Sequence, residues 1–208
     1  MSKYTTIWYK IYHWFAQIPA KISFSRRNYI SQEQKNEIAK CLASGYYIIL
    51  TGDRHHFSSI VVSFLSWVKT GQWAKYTHAL MNCDNITDAN DFNSFKFVEA
   101  TSVGVHLSSF DQVFSCDYVC LLSPVNVSNI EWTQIIDKLL SQQGLKYDDL
   151  FDLSDSSRVS CVELVLNALK ATKYSEKFKD LESLINQEKN LVPQMFRNCK
   201  DLVVTLEK

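Results

Sequence analysis

The chain has 208 residues, 46% of them hydrophobic and 13% aromatic, with only five glycines and three prolines, so it can bury a sizeable core as one globular domain with short additions. Lysine plus arginine and aspartate plus glutamate each number 22. The formal net charge is therefore zero, which excludes the basic field of a nucleic-acid binder.

The first 30 residues carry Ile7, Ile11, Phe15 and Ile18 at helical spacing, with Trp8, Tyr12 and Trp14 alongside and Lys10, His13 and Gln17 interrupting the apolar run. This predicts an amphipathic aromatic segment. It is too broken for a signal-peptide core and falls short of the ~20 apolar residues that span a bilayer. Its aromatic girdle, followed by Lys21, Arg26 and Arg27, suits a membrane interface. Docking onto the body of the protein or onto a protein partner is the preferred expectation, because apolar helical stripes usually face protein.

Ser31 and Gln34 are spaced as a capping box, and Ile38 and Leu42 on a charged background predict a helix to Ala43, ended by Gly45. Residues 46–50 form a short β-rich run, followed by a turn signal at Thr51-Gly52-Asp53. Residues 60–68 are apolar nearly all round and predict a buried helix. Strands are predicted over 76–81 and 95–100, with a short run at 105–107 and a longer one over 118–122 that Pro124 stops. Trp132, Ile135, Ile136, Leu139 and Leu140 predict a helix over 130–142, ended by Gly144. A polar loop over 152–158 then leads to Cys161, where Val162, Val165, Leu166 and Leu169 predict a short apolar helix.

Cys161 thus stands at the start of a helix, where the first N–H groups lack internal partners and the dipole is positive, a position that favours a thiolate. Free cysteines are also among the most buried residue types, so the same position reads as a core thiol. His78, on a predicted strand, is a base able to take and return a thiol proton. Glu99, on the next strand, can accept from the other imidazole nitrogen and fix its tautomer. The other cysteines, Cys41, Cys83, Cys116, Cys120 and Cys199, lack the spacings of a zinc site or a disulfide framework, which points to reduced thiols. The adjacent His55 and His56 read as a solvated loop, since the three or four converging ligands of a metal site are missing from the pattern. No metal or other cofactor is expected.

Six short segments occur in a telling order: Gly45-Tyr46-Tyr47-Ile48-Ile49-Leu50-Thr51; Thr70-Gly71-Gln72-Trp73 through His78; Val98-Glu99-Ala100; Gly104-Val105-His106-Leu107; Gly144-Leu145-Lys146-Tyr147-Asp148; and Ser160-Cys161-Val162-Glu163-Leu164-Val165. Together they resemble the permuted papain-like cysteine hydrolases of the NlpC-related superfamily, the YiiX-like group related to lecithin:retinol acyltransferase. Histidine before cysteine is the permuted order. The resemblance covers residues 43–171 and departs from the usual pattern at Tyr46 and Thr77, positions that bear on substrate fit.

The resemblance implies an α+β, circularly permuted papain-like (NlpC-type) fold, an antiparallel sheet packed against helices, in a domain over 31–208. Extra helical segments are expected at 1–30 and 172–208. It implies acyl chemistry by Cys161 as nucleophile, His78 as base and acid, and Glu99 as orienting residue, with Tyr147 at the substrate. The expected substrate is a peptide or acyl amide, with peptidoglycan one candidate. The alternatives are an inactive structural or interaction module of the same fold, in a virion or secretion assembly, and a membrane-associated acyltransferase. The expected location is the cytoplasm or a larger particle such as a virion.

Overall fold

Ser31 caps the first helix as its spacing predicts: its hydroxyl accepts from the Gln34 N–H (3.2 Å) and its own N–H donates to Gln34 Oε1 (2.8 Å). In the computed structural model, which describes residues 29–53, 57–70, 72–84, 88–148, 157–187 and 192–208, this helix is α1 (Gln32–Leu42), with Ile38, Ala39 and Leu42 buried. The predicted amphipathic segment, apart from residues 29 and 30, lies outside the described residues, as do His55 and His56.

The main sheet is antiparallel throughout and has the order β4-β3-β2-β1-β5-β8. Its strands are β1 (Ile48–Gly52), β2 (His78–Asn82), β3 (Lys96–Thr101), β4 (Gly104–Ser109), β5 (Tyr118–Pro124) and β8 (Leu202–Glu207). The central strands are covered on both faces, which explains why they read as apolar runs rather than as a clean alternation. On one side Ile48, Leu50, Ala79, Met81, Val98 and Ala100 pack with α4 (Asn129–Leu140) and α5 (Cys161–Leu169). On the other, Ile49, Leu80, Phe97 and Leu121 pack with α1 and the short α3 (Phe110–Val113).

Helix α2 (Phe57–Thr70) connects β1 to β2. The turn expected at residues 51–53 is instead the end of β1, because Gly52 lets the backbone of the returning chain pass close by: a Cβ there would run into the Lys75 carbonyl oxygen. The Thr77 N–H donates to the Thr51 carbonyl (2.9 Å), so β2 begins at His78, two residues later than predicted. A two-stranded parallel ribbon, β6 (Lys146–Tyr147) with β7 (Arg158–Val159), leads into α5.

The segment 172–208, expected to be helical, contains α6 (Tyr174–Lys177), α7 (Lys179–Gln187) and α8 (Gln194–Asn198) and then β8. β8 joins the main sheet beside β5, with Leu206 in register with Leu121 and Val204 with Leu122. The β-branched pair Val203-Val204 suits a strand, and its partner lies some 80 positions earlier, so no local pattern discloses the pairing.

Candidate functional site

Helix α5 is buried at eight of its nine positions. Burial on nearly all sides fixes the helix, and its N-terminus is fixed in turn by the cap: the Ser160 hydroxyl accepts from the Glu163 N–H (3.3 Å), and the Ser160 N–H donates to Glu163 Oε2 (2.8 Å). Cys161 is the first residue of that helix, with its residue 4% exposed.

β2 and β3 pair with Leu80 opposite Glu99, so His78, two residues before Leu80, is a diagonal neighbour of Glu99 across the ladder. Its Nε2 lies 2.7 Å from Glu99 Oε2. The Cys161 side chain also acts on the imidazole, raising its pKa. With Nε2 committed to the carboxylate, Nδ1 is the nitrogen left to the thiol. Helix α5 packs on β2, and the chain brings Cys161, His78 and Glu99 together, with the thiol acting on an imidazole that Glu99 holds.

Glu99 has further partners on β4. The Ser108 hydroxyl donates to its Oε1. His106 Nε2 lies 3.5 Å from the same oxygen, and the His106 Nδ1–H donates to the Gly104 carbonyl (3.0 Å). The sequence segment Gly104-Val105-His106-Leu107 includes His106 but stops one residue short of Ser108. The available signal was the alternation His106-x-Ser108, which places two polar side chains on the face of β4 that meets Glu99.

Electrostatics follow from these contacts. Burial by itself lowers the His78 pKa, but the interactions with Cys161 and with Glu99 outweigh it and raise it from 6.5 to about 10. Burial by itself raises Glu99; the hydrogen bond and charge of His78, followed by Ser108 and His106, hold it at about 2 instead of 4.5. Elsewhere burial is the largest influence on the thiols, pushing Cys83, Cys116 and Cys199 up to about 12 and Cys120 up to about 11. Those are core thiols held in the protonated form.

Tyr147 lies on β6, in register with Val159, two residues before Cys161, and it packs half-buried against the core that holds α5. A cavity of about 420 Å³ opens between α2 and the start of β2, with Asp53, Ser63, Trp73, Lys75, Thr77 and Tyr118 in its wall. Neither His78 nor Cys161 is among the residues that line it. Among the described residues, no three His, Cys, Asp or Glu side chains converge as ligands for a metal ion. No described helix is long and apolar enough to cross a membrane.

No protein-family model matches the chain, and no match is found among curated proteins. Among solved structures, the chain is similar to the metalloprotein yiiX from Escherichia coli O157:H7, DUF1105. The TM-score is 0.56 and the identity 16%, over 78% of this chain and 96% of that one. The likeness is one of fold: this chain has a YiiX-like α+β fold, an antiparallel sheet packed against helices.

Proposed function

We propose that the protein is a cysteine hydrolase of amide or ester bonds, with Cys161 as nucleophile, His78 as proton carrier and Glu99 as the group that orients the imidazole. The observation that carries this reading is the row itself: an imidazole whose Nε2 lies 2.7 Å from the partly buried Glu99 carboxylate and whose pKa is raised by Cys161, the first residue of a helix. The permuted papain-like arrangement belongs to the same proposal, since the chain order is His78, Glu99, Cys161.

In the proposed cycle, His78 takes the Cys161 thiol proton and the thiolate attacks the substrate carbonyl carbon. The Cys161 N–H, at the open end of α5, donates to the developing oxyanion. Collapse breaks the carbonyl carbon bond to the leaving amine or alcohol, which leaves with the proton from His78, and a thioester remains on Cys161. Water then attacks the thioester while His78 accepts its proton. Release of the acid returns that proton to the Cys161 sulfur. An acyl acceptor in place of water gives the transferase variant of the same chemistry. Tyr147, next to the strand that enters α5, is proposed to contact substrate, and a peptide or acyl amide such as a peptidoglycan stem fits the chemistry.

The yiiX protein is described as a metalloprotein; among the described residues of this chain no three His, Cys, Asp or Glu side chains converge as metal ligands, and no step of the proposed cycle is routed through a metal.

The test is the pH profile of Cys161 alkylation by iodoacetamide, read by peptide mass spectrometry with the five other cysteines as controls, in wild type and His78→Ala. The expected result is alkylation that persists below pH ~8.5, where free thiols lose reactivity, and that disappears in His78→Ala. A Cys161 that reacts like a free thiol and ignores His78, or that reacts only on unfolding, sinks the hydrolase reading and leaves a structural or interaction module.

A further inference from the structure

Strand β4 is an edge of the main sheet, and its burial runs against residue type. Leu107 is 46% exposed while Ser108 is 3% exposed. Glu99 is in register with His106, and Phe97 with Ser108, so His106, Ser108 and Glu99 share one face. A buried hydroxyl costs stability unless it is hydrogen bonded, and an apolar side chain would fill the position without that requirement. The partner that satisfies Ser108 is Glu99 Oε1.

The consequence lies in the carboxylate's geometry. The last torsion of a glutamate is broad and nearly two-fold, so a carboxylate held by one oxygen can turn. Glu99 is held by both: Oε1 takes the Ser108 hydroxyl and Oε2 faces His78 Nε2 at 2.7 Å. His106 is a weaker second anchor. Its Nδ1–H is given to the Gly104 carbonyl, so Nε2, 3.5 Å from Oε1, can donate only when the ring is protonated. The Ser108 donor does not titrate.

We propose that Ser108 is a positioning residue for the Cys161, His78 and Glu99 site, locking the plane of the Glu99 carboxylate so that it holds His78 toward the thiol. This rests on the reading of that row as a reactive site.

The experiment compares full-length wild type with Ser108→Ala, Ser108→Thr, Ser108→Cys and His78→Ala. The readouts are Cys161 alkylation by iodoacetamide across pH and the His78 titration midpoint by NMR. Ser108→Ala is expected to slow alkylation at about pH 6.5 by roughly tenfold and to move the His78 midpoint down. Ser108→Thr, which keeps the hydroxyl, is expected to recover most of the rate. Ser108→Cys, somewhat larger and a poor donor, fills the position and carries the test if Ser108→Ala melts early; slowing is expected there too. A purely structural role would lower thermal stability without moving the midpoint. If the Ala and Cys variants stay within about twofold of wild type while His78→Ala loses the low-pH rate, the role of Ser108 is overturned and the site stands. If His78→Ala also reacts like wild type, the site reading itself falls, and the Ser108 role with it.

Discussion

Replacing Glu99 with glutamine keeps the shape of the side chain and removes its charge. Glu99 is held at about 2 instead of 4.5 by His78, Ser108 and His106, against the opposing effect of burial. At ~1.4 kcal/mol per pH unit, that difference favours the folded, ionised state by at most about 3–4 kcal/mol. The sign differs for the two partners. A lowered carboxyl contributes stability that is complete above 4.5 and fades as pH falls toward about 2. A raised imidazole contributes stability that is complete below 6.5 and fades as pH rises toward about 10. Both contributions are therefore complete between 4.5 and 6.5. Urea denaturation of wild type and Glu99→Gln at about pH 5.5 should differ by roughly 2–3 kcal/mol, the gap should narrow by about pH 3, and it should narrow again toward about pH 10. A gap under ~0.5 kcal/mol at about pH 5.5, or one equally large at about pH 3, would refute the reasoning.

Two further substitutions probe the frame. Gly52→Ala places a Cβ against the Lys75 carbonyl, and because Thr51 is in register with His78, it should cost about 1–3 kcal/mol in urea denaturation and also slow Cys161 alkylation. Phe110 is fully buried, with ring centroids 4.6 Å from Phe92 and 4.5 Å from Phe114. Phe110→Ala should therefore cost ~3–5 kcal/mol by the same measurement, while Ile130→Ala, at a position 75% exposed, should stay within ~0.5 kcal/mol.

The parts of the fold legible in the sequence are those written within one element. The capping box at Ser31 and Gln34 sets the start of α1, and the spacing of Val162, Val165, Leu166 and Leu169 sets α5 with Cys161 at its first position. The boundary of β2 was not legible, because it is set by distant groups. The Tyr76 N–H donates to Gln194 Oε1 (3.3 Å) instead of to β1, and the Tyr76 hydroxyl turns to Glu207 (2.6 Å), so Tyr76 does not extend the ladder as predicted. The place of Glu99 was legible only as a strand residue. Its closeness to His78 depends on the β2–β3 register, which the loop between those strands does not disclose.

The C-terminal strand ties these observations together. Glu207 of β8 accepts from the Tyr76 hydroxyl (2.6 Å) and from Lys75 Nζ (3.0 Å), and its other oxygen takes Arg197 (3.0 Å). Tyr76 and Lys75 immediately precede Thr77 and His78, and their backbone N–H groups are tied to Gln194 Oε1. The approach to β2 is thus pinned from the C-terminal segment, while the strand itself is held by β1 and β3. In the proposed cycle an imidazole that takes a proton from the thiol and returns it must be held within a fraction of an ångström of its working position. Here its backbone is fixed by residues more than a hundred positions away, its Nε2 by Glu99, and Glu99 by Ser108. A site that needed only a buried thiol and a satisfied histidine would not require that succession of anchors, which supports the proposed function.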